Sequence, residues 1–78
     1  MVYTVIGISH RVGEFDGRAY DNYIVYATRD ARTDKGEVGK IAEVFKVPSS
    51  NYREMSIGDQ FDNAYYDRYQ RIVGFNML

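Results

Sequence analysis

The chain has no cysteine and no tryptophan, and among its 78 residues there is one histidine and one proline. Without cysteine, neither a disulfide nor a thiolate zinc site can staple the domain. A chain of this length forms one domain and buries only about 60% of the surface its unfolded form exposes. Cores of this size supply about 3–5 kcal/mol, which leaves good packing or self-association to hold the fold. The opening "MVYTVIGISH" lacks a basic lead and a small-residue cleavage site, so no signal peptide is expected. No apolar run approaches the roughly 20 residues of a membrane helix. A soluble, cytoplasmic protein without a membrane partner is the expectation.

Catalytic and metal signatures are also missing. A Ser/His/Asp arrangement would have to use His10, and there is no G-x-S-x-G turn. "TDKGEVGK" lacks the spacing of a phosphate-binding loop, so its glycines read as turn residues. The carboxylates lie singly beside basic residues, and Glu14 and Asp16 sit around a turn where water solvates them. The expectation is a binding protein rather than an enzyme, with no cofactor, no metal and no small-molecule substrate. Ten basic and eleven acidic residues give a net charge of -1, and the signs are interleaved, which excludes a simple polycation but not a basic patch made by folding.

What the chain does have is tyrosine, eight in all, together with four phenylalanines. Residues 2–10 read as a strand, with Gly7 a bend or bulge inside it. Asp16-Gly17 supplies the positive backbone angles of a tight hairpin turn. Residues 18–29 form the return strand, and "DARTDKGE", residues 30–37, an exposed loop. Residues 37–47 fit a helix face through Val38, Ile41, Ala42 and Phe45. They fit a strand equally well through Ile41, Phe45 and Val47 against Ala42, Val44 and Lys46. Gly39, the β-branched Val44 and Val47, and Pro48 at the end favour the strand. "SSNYREMS" predicts a single helical turn from its Asn51–Glu54 spacing. "QFDNAYYDRYQRIVGFNML" predicts two strands joined near residues 68–70. The fold class is thus all-β, a small five-stranded barrel with one short helical turn between strands 3 and 4.

Along the second strand Ala19, Asp21, Tyr23, Val25 and Ala27 share one face, and Tyr20, Asn22, Ile24, Tyr26 and Thr28 the other. One face looks inward. The tyrosines of the other, flanked by Arg18 and Arg29, suit a surface on which bases stack while guanidinium groups meet phosphates. They suit also a sheet stiffened by cross-strand pairs, a homodimer seam, or, without nucleic acid, a face that binds another protein.

The order of parts resembles the small OB-fold single-stranded DNA-binding proteins of filamentous phages and related mobile elements. The resemblance is carried by the hairpin closing "DGRAY", the tyrosine-bearing return strand, "FKV", "IGDQF" and "YYDRYQRIV". It implies a single OB-like domain over residues 1–78, acting as a homodimer that coats single-stranded DNA, or RNA through the same chemistry. It implies that Arg18 meets phosphate and that Tyr20 stacks on a base, with Tyr26 as the second aromatic of that face and Phe61 as a late one. Arg11, Arg29 and Arg32 join the expected phosphate contacts, and Phe15 caps the hairpin tip. The C-terminal Phe75, Met77 and Leu78 are expected either in a dimer seam or in the core. Two features depart from the family pattern: the net charge of -1, and Gln70 where a glycine is expected.

Overall fold

The computed structural model describes residues 1–66, 68 and 72–78, and the side chains of these apart from 63–66, 72 and 73. Five strands, β1 (Tyr3–Phe15), β2 (Arg18–Asp30), β3 (Lys40–Pro48), β4 (Gln60–Tyr66) and β5 (Ile72–Met77), form one antiparallel sheet in the order β3-β2-β1-β4-β5. The all-β expectation therefore holds. The sheet is open: β3 and β5 come within 8 Å between Cα atoms, but among the described residues they do not pair. The helical turn between β3 and β4 is a single 3₁₀ turn at Ser49–Asn51, so Asn51 ends it instead of starting it. Another such turn, Thr33–Lys35, lies in the expected loop. The turn expected at residues 68–70 falls outside the described residues except for Arg68. Among the described residues no helix is long and apolar enough to cross a membrane.

Asp16 and Gly17, at φ 55° and 77°, close the β1–β2 hairpin. Positive angles at both central residues make a turn whose twist matches that of the strands it joins. The two strands pair all the way to Phe15↔Arg18. β4 meets β1 only at Tyr3↔Phe61 and Thr4↔Gln60, so the hairpin projects from the body and draws the molecule out to 44 × 24 × 18 Å.

A bulge between Val5 and Gly7 sets which residues face inward. It adds one residue to β1, so Tyr3 and Val5 share the inner face with Ile8 and His10 rather than with Gly7. On that side Val5, Val25, Ala27, Phe45, Val47, Met55, Phe61 and Phe75 form the core, with Tyr3, Ile8, Tyr23, Tyr52 and Met77 packed against it. Phe61 lies at its centre, with ring centroids 5.2 Å from Tyr3, 5.5 Å from Phe45 and 5.6 Å from Phe75. Phe75 thus belongs to the core and Met77 packs against it, whereas Leu78 is exposed.

Candidate functional site

The outer face of the hairpin is built from alternate residues. The pairs Arg11↔Asn22, Gly13↔Tyr20 and Phe15↔Arg18 put six side-chain positions of β1 and β2 on it. The pair Ile24↔Lys46 brings in Lys46 from β3. Together Arg11, Phe15, Arg18, Tyr20, Ile24 and Lys46 are the main lining of an open concavity of about 550 Å³. Its lining contains three cations and no carboxylate. Among the described residues, no carboxylate is within ion-pair distance of Arg11, Arg18 or Lys46.

The net charge of -1 conceals this separation because carboxylates are engaged elsewhere. Asp21, one residue out of phase with the outer face, accepts from His10 Nε2 at 2.6 Å on the inner side. Glu37 and Glu43 hold Arg29, and Asp30 pairs with Lys40. The Lys40 ammonium holds the Asp30 carboxyl below the usual carboxylate range.

Both outer tyrosines lie across glycines of β1. Tyr20 is opposite Gly13 and Tyr26 opposite Gly7. A Cβ added at Gly13 would stand 2.4 Å from Tyr20 Oη, and one at Gly7 would stand 3.5 Å from Tyr26 Cδ2. At Gly13 the missing side chain lets the ring lie down on the strand, an arrangement that fills the gap glycine leaves in a sheet, whereas at Gly7 the distance is that of ordinary contact. Tyr20 stays 40% exposed and Phe15, at the tip, 77%. Aromatic surface here is open to a ligand, with cations around it.

The structure thus brings together Arg11, Phe15, Arg18 and Tyr20 of the expected residues. Tyr26 shares their face but stands six residues from Tyr20, about 20 Å along an extended strand. Three expected residues lie elsewhere. Arg29 has the parity of Tyr23 and Val25, so it turns inward and is 6% exposed. Its Nη1 and Nη2 donate to the two carboxylate oxygens of Glu37 at 2.7 and 2.9 Å, and its Nε donates to Glu43 at 3.2 Å. Those bonds, with the backbone N–H of Arg32, hold the Glu37 carboxyl down to about 2. Meeting a phosphate would cost Arg29 both partners. Phe61 is 1% exposed inside the core, so a base cannot stack on it without opening the fold. Arg32 is exposed, but in the loop after β2, at the far end from the hairpin tip, where its Nη2 donates to Met1 Sδ at 3.4 Å.

Sequence reasoning missed Lys46 and the inner ring stack. Lys46 already alternates with Phe45 and Val47, but only the register Ile24↔Lys46 carries it to the hairpin. On the inner face the rings of His10 and Tyr23 stack at 4.2 Å, and those of Tyr23 and Tyr52 at 3.7 Å. This three-ring pile ties the hairpin to the segment after β3, and Tyr52 Oη accepts the backbone N–H of Met55 at 3.3 Å. Among the described residues no group of three His, Asp or Glu could hold a metal ion. No protein-family model, no curated protein and no solved structure matches the chain.

Proposed function

We propose that this chain binds single-stranded DNA without sequence preference through the outer face of the β1–β2 hairpin. In this reading it acts as a homodimer of a partly open OB-like barrel and supports replication or transfer of a phage or plasmid. The observation that carries the reading is the concavity in which Arg11, Arg18 and Lys46 surround Tyr20 and Phe15 with no carboxylate among them. Cations that track a phosphate chain, beside aromatic faces that accept any base, are the two parts of sequence-independent single-strand recognition. Each stacked base contributes about 1–3 kcal/mol, so two aromatics and three phosphate contacts suffice for useful affinity.

Strand order supports the barrel. With β3 and β5 near each other, the neighbours run β1-β2-β3-β5-β4 around a ring with one unpaired seam, which suits a five-stranded, partly open barrel. The outer face of β2 and β3 is also where such barrels take oligonucleotides.

Titration of intrinsic tyrosine fluorescence with oligo(dT), with a duplex of equal length in parallel, tests the reading. Quenching by the single strand at low salt, with weaker binding of the duplex, is expected. No quenching by either at low salt would overturn it.

A further inference from the structure

Beyond Val5, whose N–H donates to Asp59 and whose carbonyl accepts from Gly58, the outer edge of β1 has no strand beside it among the described residues. The other edge pairs with β2 as far as Phe15. Residues 9–15, "SHRVGEF", therefore present a row of backbone donors and acceptors at the side of a projecting hairpin. The stretch contains no proline, and its two formal charges, Arg11 and Glu14, lie on opposite faces of the strand on either side of Val12.

We propose that this edge pairs antiparallel with the same edge of a second copy, about a two-fold axis at Val12. Symmetric pairing keeps each face of the sheet on its own side, so residues opposed across the axis share parity. That leaves few registers. Centring on Arg11 sets two guanidinium groups against each other, and like charges directly opposed destabilise a pair. Centring on Gly13 puts Val12 against a carboxylate, Glu14 of the second copy. Centring on Val12 opposes two valines, each 66% exposed in the single chain, and covers them. On the same inner face it sets His10 opposite Glu14 of the second copy. On the outer face it sets Arg11 opposite Gly13 of the second copy, beside the Tyr20 ring that lies over that glycine. A guanidinium at an aromatic face is favourable.

The interface deepens the homodimer of the proposed function by naming its surface. Because the axis stands perpendicular to the sheet, both concavities fall on one side. A single strand could then run from one to the other. The edge pairing itself needs no DNA.

The chain has no cysteine, so a Val12→Cys variant can form a disulfide only between residue 12 of two copies. Directly opposed residues of an antiparallel pair have Cα atoms about 4.5–5.5 Å apart, within the span a disulfide bridges. On mild oxidation Val12→Cys is expected to become mostly disulfide-linked dimer, while Val38→Cys, more exposed still but in the loop, is not. By sedimentation equilibrium the unmodified chain has twice the monomer mass, and Val12→Lys, a change on an exposed side chain, halves it. A dimer that survives Val12→Lys, with no preferential cross-linking through residue 12, would overturn this interface while leaving the homodimer standing. A monomeric unmodified chain would overturn both, and neither outcome touches the oligo(dT) titration.

Discussion

The ring of Tyr20 lies over Gly13, so close that a Cβ on the glycine would meet the phenol oxygen at 2.4 Å. The two residues are directly opposed in the β1–β2 ladder, and the glycine leaves the space the ring occupies. The atom in the way is the far end of a flexible side chain, so Gly13→Ala should displace the ring rather than unfold the strand. We expect Gly13→Ala to weaken oligo(dT) binding in the direction of Tyr20→Ala. The latter should lose one stacked base, about 1–3 kcal/mol, or roughly 5- to 150-fold in Kd. Circular dichroism and fluorescence titration on the same samples check this. Unchanged affinity in both variants would remove Tyr20 from the interface.

Phe61 gives a contrasting expectation. It is fully buried among Tyr3, Phe45 and Phe75. Truncating a core phenylalanine to alanine costs about 3–5 kcal/mol, as much as a core of this size supplies. Phe61→Ala should therefore be largely unfolded at room temperature, whereas Phe61→Leu stays folded and binds oligo(dT) as the unmodified chain does. A folded Phe61→Leu with strongly reduced binding would mean that the ring itself reaches DNA.

The Arg29 clasp predicts a pH dependence. Hydrogen bonds from Arg29, then from the Arg32 backbone, hold the Glu37 carboxyl down to about 2, against 4.5 ordinarily. A carboxylate lowered on folding stabilises the fold fully above its unfolded value and loses that contribution as pH falls through its folded value. The melting temperature should thus fall between pH 4.5 and pH 2, and less steeply in Glu37→Gln, which lacks the titrating group. Parallel curves for the two proteins would show that Arg29 and Glu37 do not pair in solution.

The ring pile predicts which part of the hairpin loosens first. Tyr52→Ala removes the end ring, and aromatic pairs contribute about 0.5–1.5 kcal/mol beyond the area they bury. Amide exchange should quicken around Tyr23 and His10, with less change at the core residues Val5 and Phe61. Uniform acceleration throughout would mean that the pile supports the whole fold rather than the hairpin base.

Much of the site's face was legible in the sequence because strand parity is a local property. Asp16-Gly17 marks the turn, and counting from it puts Tyr20 and Tyr26 on one face and Tyr23 on the other, as found. The same count puts Arg29 inward with Tyr23. Its position flanking the tyrosines in sequence suggested a phosphate contact, but its partners Glu37 and Glu43 lie on a loop and a neighbouring strand that no local pattern links to it. Gly7 marked the irregularity in β1, yet only the paired register shows that the bulge falls between Val5 and Gly7 and moves Ile8 and His10 to the inner face. Lys46 needed the β2–β3 register as well. The near-neutral charge spoke against a polyanion partner, yet in the fold Asp21, Asp30, Glu37 and Glu43 are paired away from the hairpin's outer face.

The most direct test of the account is the salt dependence of oligo(dT) affinity in the unmodified chain and in the Arg11→Ala/Arg18→Ala/Lys46→Ala triple variant. Each phosphate neutralised on a single strand contributes about -0.7 to the slope of log K against log salt. The account predicts a slope near -2 for the three cations, nearly abolished in the triple variant, while Lys46→Ala alone shallows it by about 0.7. A slope that the triple variant leaves unchanged, or binding indifferent to salt in the unmodified chain, would contradict it.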